Sequence, residues 1–258
     1  MTAEQRAAAG LLVRSFAGRD GVELAWRETG AGRPVVLLHG LFGNGAMLAD
    51  GRLARSLAAA GRRVILPDLR AHGASGHPHD PACYPPDVLA DDGLALIEQL
   101  GLDDYDLGGY SLGGKLVLRL LARGARPARA FVGGQGADAL DAESSRTGRY
   151  RELLETMASG NADPDSPAAG MARWLAQAGT DPRAVGLLLG TMVSTPRGVL
   201  RQVTVPVLIV TGDRDSRGAT AGELAGLLPD ARVVTVPGDH ESTADAPELA
   251  AAVLDFLG

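Results

Sequence analysis

Residues 105–113 read Tyr-Asp-Leu-Gly-Gly-Tyr-Ser-Leu-Gly. The residues at the start of this stretch predict a short strand over 105–107, and the leucine-rich segment behind it predicts a helix over 112–123. The glycines between them allow a tight turn that joins the strand directly to the helix. Ser111 is therefore expected at the end of a strand, where a helix begins.

The pattern around Ser111 is G-x-S-x-G, which is typical of a nucleophile elbow when a strand precedes it and a helix follows. Gly109 and Gly113 lack the bulk that would keep strand and helix apart, while the serine is held in a strained turn. The first amides of a helix have no acceptors within it, so the N–H of Leu112 is a candidate donor to an oxyanion. The sequence predicts that Ser111 is a nucleophile.

Strands and helices alternate on both sides of this unit, which favours an α/β fold with a mostly parallel sheet and helices on both faces. An opening hairpin is predicted over 11–16 and 22–27, and further strands over 35–38, 63–66, 128–132, 207–210 and 231–236. Helices are predicted over 47–60, 87–100, 219–228 and 247–257. In such a sheet, functional groups lie on loops at the carboxyl ends of the strands.

The alternation is interrupted between residues 137 and 201. No convincing strand is found there, and helical pieces are predicted over 149–158, 171–178 and 184–192. We therefore expect an α/β core formed by residues 1–136 and 202–258, with a helical insertion over 137–201.

The composition is that of a globular protein, with 258 residues of which 45 % are hydrophobic and 22 % charged. The net charge of -6 argues against nucleic-acid binding. A single cysteine, Cys83, excludes an internal disulfide framework. The first residues do not form a secretory signal, and the uncharged stretch 35–49 is too short and interrupted to span a bilayer. We expect a cytoplasmic enzyme.

A serine nucleophile needs a base, and His240 is the best candidate among five histidines. It follows the last predicted strand, in the chain order Ser…Asp…His. His72, His77 and His79 lie in a glycine- and proline-rich loop and are expected to be polar surface residues. No matching ligands elsewhere complete a metal site with them, so no metal is expected.

The residue that orients such a histidine is an acid. Asp213 and Asp215, in the turn Thr-Gly-Asp-Arg-Asp after a predicted strand, are both candidates, and Asp138 is a weaker third. Asp239 adjoins His240 in the chain, so its side chain is poorly placed to reach the ring. The residues alone leave the choice between Asp213 and Asp215 open.

The loop that begins His39-Gly40-Leu41 follows another buried strand. The N–H of Leu41 is a candidate second donor to the oxyanion, and His39 is expected to brace the loop. Four residues are candidate contacts to substrate: Phe42, Tyr110, Gln135 and Trp174.

Together these segments resemble the α/β-hydrolase superfamily, in particular its esterase-like members with a serine nucleophile. The similarity covers nearly the whole chain and includes the pattern D-x-R-x-x-G-x-S at residues 68–75, which shapes a turn after a strand in that family. One departure is Asp239, since many members carry glycine before the catalytic histidine.

The resemblance implies that Asp215 is the orienting acid and that the amides of Leu41 and Leu112 bind the oxyanion. It implies that the helical insertion is a cap over the active site and that no cofactor is needed. Serine at position 111 argues against epoxide hydrolases and haloalkane dehalogenases, since those relatives use aspartate there.

We therefore expect a serine hydrolase that cleaves an ester, thioester or lactone through an acyl-enzyme, with Ser111, Asp215 and His240 as catalytic residues. The fold leaves open a C–C bond hydrolase, a non-hydrolytic lyase or cyclase, and a non-enzymatic ligand-binding receptor. The natural substrate and the oligomeric state stay open. A small to medium apolar substrate is expected because the insertion is rich in apolar side chains: Met157, Met171, Trp174, Leu187, Leu188, Leu189 and Met192.

Overall fold

The computed structural model describes residues 11–142, 145–159, 163 and 165–258. Eight strands form one sheet: β1 (Arg14–Ala17), β2 (Glu23–Thr29), β3 (Arg33–Leu38), β4 (Arg62–Pro67), β5 (Asp106–Tyr110), β6 (Arg129–Gly133), β7 (Val207–Gly212) and β8 (Ala231–Val236). Their order is β1-β2-β4-β3-β5-β6-β7-β8. The pairs β1–β2 and β2–β4 are antiparallel, and all other pairs are parallel.

The sheet is buried on both faces, as parallel sheets are. Val36 and Leu38 of β3 belong to one hydrophobic cluster, while Val35 and Leu37 belong to a second. Alternate residues of a strand point to opposite faces, so these two clusters are cores on the two sides of the sheet. The predicted α/β architecture is confirmed.

The described α-helices are α1 (Gly45–Asp50), α2 (Arg52–Ala59), α3 (Val88–Gln99), α4 (Leu112–Ala122), α5 (Ser145–Ser159), α6 (Pro167–Gln177), α7 (Pro182–Leu189), α8 (Arg197–Leu200), α9 (Ala221–Ala225), α10 (His240–Ala244) and α11 (Pro247–Leu257). Short 3₁₀ turns lie over Pro81–Cys83, Ala137–Leu140 and Ser216–Thr220. None of the helices described here is both long and apolar enough to cross a membrane.

The single helix predicted over 47–60 is wrong, because the chain forms α1 and α2 with a break at Gly51. Gly51 has extended backbone, with φ -71° and ψ 152°. The backbone N–H of Arg52 then donates to a carboxylate oxygen of Asp245 at 2.5 Å, which ties the start of α2 to the loop after α10. A contact so distant in sequence overrides the helical periodicity.

The helix predicted over 219–228 is also wrong in its extent. The chain forms the 3₁₀ turn Ser216–Thr220 and then the short helix α9, which is capped by Gly226. The opening hairpin is confirmed in β1 and β2, where Phe16 pairs with Leu24.

Between β6 and β7 the described residues form helices α5 to α8 and no strand. Leu154, Leu175 and Leu188, from three of these helices, are fully buried. A backbone hydrogen bond from Asp87 N–H to the Thr191 carbonyl, at 2.8 Å, ties this helical segment to the rest of the chain. A second one, from Thr195 N–H to the Leu140 carbonyl at 2.7 Å, joins the two ends of the segment to each other.

Candidate active site

Ser111 lies between the end of β5 and the start of α4, in strained backbone. Its φ is 58° and its ψ is -116°, a conformation that residues other than glycine rarely adopt. A Cβ at Gly113 would lie 2.1 Å from the Leu38 carbonyl oxygen, and one at Gly109 would lie 2.4 Å from the Gly113 backbone. Both glycines are therefore required by the close approach of α4 to β5 and β3, as the sequence predicts.

Ser111, His240 and Asp215 form a hydrogen-bonded chain. His240 Nε2 lies 2.9 Å from Ser111 Oγ, and His240 Nδ1 lies 2.7 Å from a carboxylate oxygen of Asp215. The Asp215 side chain is 1 % exposed, so this carboxylate is shielded from water. Because the carboxylate holds the proton on Nδ1, Nε2 is the nitrogen that accepts the serine proton.

Tyr110 contacts the histidine from the elbow itself. Its hydroxyl donates to the backbone carbonyl of His240 at 2.7 Å, and its ring packs against the imidazole with centroids 5.2 Å apart. Burial raises the pKa of Tyr110, so the phenol keeps the proton that this hydrogen bond needs. Tyr110 thus fixes the loop that carries His240.

The other candidate acids lie elsewhere. Asp213 is exposed and accepts a hydrogen bond from the Gly238 N–H at 2.8 Å. Asp239 caps α10, and hydrogen bonds from the Ser242 backbone and hydroxyl lower its pKa. Asp138 lies 3.4 Å from the Thr220 hydroxyl. Asp215 is the acid that bonds to the His240 ring, at 2.7 Å.

The peptide that carries the Leu41 N–H is held in place by its own carbonyl. The Gly40 oxygen accepts from His39 Nδ1 at 2.8 Å and from the Gly43 N–H at 3.0 Å. Since the C=O and N–H of one trans peptide point in opposite directions, these bonds also fix the direction of the Leu41 N–H. Gly40 lies beside Ser111, because a Cβ added to it would be 3.5 Å from the serine Cβ.

His72 is fully buried, so the prediction of a surface residue is wrong. Its ring lies between the carbonyls of Arg70 and Leu41, at 2.9 and 2.6 Å, and packs edge-on against His39. His39 accepts a hydrogen bond from the Leu69 N–H at 2.9 Å, in agreement with a bracing role. Burial lowers the pKa of His39 to about 3 and also lowers the pKa of His72, so both rings are neutral supports of the loop.

The remaining two histidines join their loop to the helical segment. His77 lies 2.9 Å from the Gly179 carbonyl, and His79 lies 2.5 Å from an Asp181 carboxylate oxygen at the start of α7. Among the described residues no group of three or more His, Cys, Asp or Glu side chains could hold a metal ion.

A cavity of about 80 Å³ lies beside Ser111. One part of its wall is apolar and is formed by Leu41, Leu112, Ala139, Leu189 and Met192. The rest of the wall is polar and is formed by Lys115, Gln135, Asp138, Thr147, Tyr150 and Arg217. Of the apolar residues expected from the insertion, Leu189 and Met192 contribute to this wall.

Three of the four predicted substrate contacts do not line this cavity. Trp174 is 42 % exposed on α6, Tyr110 packs against His240, and Phe42 packs edge-on against Tyr150 at 5.6 Å between ring centroids. Gln135 does line the cavity, and its amide donates to the Ser111 backbone carbonyl at 2.7 Å. It therefore supports the elbow from the end of β6.

Sequence reasoning missed Arg217. Its Nη1 donates to Ser111 Oγ at 3.0 Å and its Nη2 donates to the Tyr150 hydroxyl at 2.7 Å. The only signal for it is an arginine two residues beyond Asp215. That signal does not single out Arg217, because Arg214 adjoins Asp215 as well and pairs with Asp213 at 3.3 Å.

Known proteins share this architecture. A hydrolase from Pseudomonas aeruginosa has a TM-score of 0.75 to this chain and 25 % sequence identity, over 95 % of this chain and 98 % of that one. Residues 33–142 match the family model described as alpha/beta hydrolase fold. The chain belongs to the α/β-hydrolase superfamily. The segment matched by the α/β-hydrolase model includes Ser111 and ends before Asp215 and His240.

Curated α/β-hydrolase relatives match over a shorter length. A 2-hydroxymuconate semialdehyde hydrolase from Pseudomonas sp. strain CF600 is 34 % identical over 112 residues, which is 43 % of this chain and 39 % of that protein. A non-heme chloroperoxidase from Kitasatospora aureofaciens is 39 % identical over 105 residues, which is 41 % of this chain and 37 % of that protein. In both cases the match spans less than two fifths of the relative's own length.

Proposed function

We propose that the chain is a serine hydrolase that cleaves an ester, thioester or lactone through an acyl-enzyme. The observation that carries the proposal is the hydrogen-bond chain from Ser111 Oγ through His240 to the buried Asp215 carboxylate. The strained backbone at Ser111 supports it, because strain of this kind is stored at functional sites and exposes the hydroxyl at the elbow.

The proposed reaction has two halves. Ser111 Oγ bonds to the carbonyl carbon while its proton passes to His240 Nε2, and the carbonyl oxygen becomes an oxyanion that accepts from the amides of Leu41 and Leu112. The bond to the leaving group then breaks, and the leaving group takes the proton from His240. Water attacks the acyl-enzyme in the same way and returns the serine. The Asp215 carboxylate stabilises the imidazolium in both halves.

We assign the small cavity beside Ser111 to the part of the substrate next to the scissile carbonyl. Leu189 and Met192 reach this cavity from the segment between β6 and β7. This supports residues 137–201 as a cap over a core of residues 1–136 and 202–258. The volume of about 80 Å³ suits a small acyl group with an apolar portion.

A C–C bond hydrolase is the second candidate. It is favoured by the match to the 2-hydroxymuconate semialdehyde hydrolase, although that match covers 39 % of the relative. The same serine, histidine and oxyanion donors would serve that reaction. The aligned hydrogen-bond chain counts against a ligand-binding receptor, so we rank that candidate below both enzymes.

The test is hydrolysis of phenyl acetate, followed by proton release, with wild type and two variants. Ser111→Ala is expected to lose activity by a factor on the order of 10⁴ or more. Ser216→Ala, the same change at an exposed serine in the adjoining turn, is the matched control and keeps the wild-type rate. Wild type that folds but shows no turnover above Ser111→Ala contradicts the proposal. Faster cleavage of a β-diketone than of the ester favours the C–C bond hydrolase.

A further inference from the structure

The guanidinium of Arg217 faces the reacting oxygen. It donates to Ser111 Oγ at 3.0 Å and to the Tyr150 hydroxyl at 2.7 Å, and the Arg217 backbone N–H donates to Asp215 at 2.9 Å. Phe42 packs against Tyr150 and holds that ring in place. The arginine is therefore fixed at both its backbone and its side chain, with its charge directed at the space where a substrate binds.

Arg217 differs from the buried arginines of the described residues, each of which is paired with a carboxylate. Arg27 pairs with Asp68 at 3.0 Å, Arg62 with Asp106 at 3.0 Å, and Arg70 with Asp92 at 2.8 Å. Within the described part of the chain, the hydrogen bonds of the Arg217 guanidinium go to two neutral hydroxyls and no carboxylate pairs with it. Arg217 is half-buried, and a partly desolvated cation without a carboxylate partner leaves a position for an anion beside Ser111.

The approach to this position is also basic. A wider opening of about 430 Å³ lies on the His240 side of the nucleophile, and Arg149, Arg214 and Arg217 line it. Its carboxylates already have roles, because Asp215 binds His240 and Asp239 caps α10. Arginines at the mouth of a cleft attract anionic ligands even when the protein as a whole carries a net negative charge.

We propose that the substrate is an anionic ester whose carboxylate binds Arg217; this inference rests on the proposed serine hydrolase function. The attacked carbon must come within about 3 Å of Ser111 Oγ, and a carboxylate oxygen bonds to the guanidinium at about 3 Å. Since Nη1 is itself 3.0 Å from Oγ, the carboxylate lies only a few bonds from the scissile carbonyl. On binding, the carboxylate displaces the serine as the acceptor of Arg217 and leaves Oγ hydrogen-bonded to His240.

The test compares charged esters with neutral esters of the same shape. In the first pair, monophenyl succinate carries a carboxylate on the acyl group, where phenyl 4-methylpentanoate carries an isopropyl group. In the second pair, 4-carboxyphenyl acetate carries the carboxylate on the leaving group, where 4-isopropylphenyl acetate carries the isopropyl group. For each pair the ratio of kcat/KM, charged over neutral, is measured after subtraction of the uncatalysed rate. Wild type is expected to prefer the charged member of at least one pair by roughly tenfold to a hundredfold.

The variants separate the substrate contact from other roles of Arg217. Arg217→Gln is expected to bring the ratio close to one, and Arg217→Lys to restore part of it. Arg232→Gln removes the same charge from an exposed arginine of β8 that pairs with Asp255 and lines neither opening, and it is expected to keep the wild-type ratio. Melting temperatures of all variants show that they are folded.

Two results overturn the inference while the proposed function stands. One is Ser111-dependent hydrolysis of the neutral esters with no preference for either charged member. The other is an equal loss on charged and neutral esters in Arg217→Gln, which makes Arg217 an activator of the serine rather than a contact to substrate. If none of the four esters is hydrolysed in a Ser111-dependent way, the proposed function fails and this inference fails with it.

Discussion

The Asp215 carboxylate forms hydrogen bonds both to His240 and to the 3₁₀ turn that directly follows Asp215 in the chain. One oxygen lies 2.7 Å from His240 Nδ1, and the other accepts from the Arg217 N–H at 2.9 Å. The carboxylate is thus fixed in direction before any substrate binds, and it holds the imidazole in the tautomer that catalysis needs.

This relationship predicts that Asp215→Asn lowers kcat on phenyl esters by a factor on the order of 10⁴, because an amide favours the wrong tautomer of His240. Asp213→Asn is the matched control, with the same chemical change at a carboxylate that accepts from Gly238 and Arg214. It should stay within about tenfold of wild type. If Asp213→Asn lost most of its kcat while Asp215→Asn kept a kcat close to that of wild type, Asp213 would be the acid that orients His240.

The close packing around Ser111 predicts that two Gly→Ala substitutions change the free energy of unfolding in opposite directions. Gly113→Ala puts a Cβ 2.1 Å from the Leu38 carbonyl oxygen, where backbone must move, and should cost at least about 2 kcal/mol of unfolding free energy. Gly186→Ala, inside α7 with no atom near the added Cβ, should stabilise by about 0.5–1 kcal/mol. Denaturant unfolding measures both, and equal effects would contradict the close packing of the elbow.

The apolar wall of the small cavity predicts that kcat/KM depends on the length of the acyl chain. Each methylene that reaches Leu189 and Met192 should add about 0.8 kcal/mol of binding, so kcat/KM should rise from acetyl to butyryl esters. Met192→Ala enlarges the cavity and should move the optimum to a longer chain. Met171→Ala, the same change at a residue that is 37 % exposed, should leave the profile unchanged. A profile that is flat or falls from acetyl upward would leave these side chains with a packing role only.

Buried, neutral His39 predicts a pH dependence of stability. Its pKa is lowered from the ordinary value of 6.5 to about 3 in the folded chain, chiefly by burial and next by the neighbouring His72. Below about pH 6.5 the unfolded chain binds more protons, so the stability that His39 contributes is present above that pH and is lost as the pH falls towards 3.

His39→Gln isolates this contribution. The difference in unfolding free energy between wild type and His39→Gln should shrink by up to about 1.4 kcal/mol per pH unit between pH 6.5 and 4. Urea unfolding at several pH values measures it. A difference that does not change with pH would show that the pKa of His39 is the same in the folded and the unfolded chain, and would contradict the effect of burial.

Features set by local sequence were predictable. The Ser111 turn follows from the two glycines that flank it, and the closing helix over 247–257 follows from its apolar period and its initial proline. Features set by distant contacts were not. The break at Gly51 adjoins a hydrogen bond from Arg52 to the distant Asp245, and the buried His72 ring lies 2.6 Å from the Leu41 carbonyl of another loop.

The same division applies to the candidate site. His240 and Asp215 follow strands whose carboxyl ends meet at one edge of the sheet, so their proximity to Ser111 could be predicted. Arg217 could not be recognised, because only the three-dimensional path of the 3₁₀ turn after Asp215 directs its side chain to Ser111 and Tyr150.

Covalent labelling of Ser111 tests the central claim most directly. Wild type is treated with a fluorophosphonate, which reacts only with an activated serine, and its intact mass is measured beside Ser111→Ala and the control Ser216→Ala. The account predicts that wild type and Ser216→Ala each gain the mass of one probe and that Ser111→Ala gains none. Equal labelling of wild type and Ser111→Ala would contradict it.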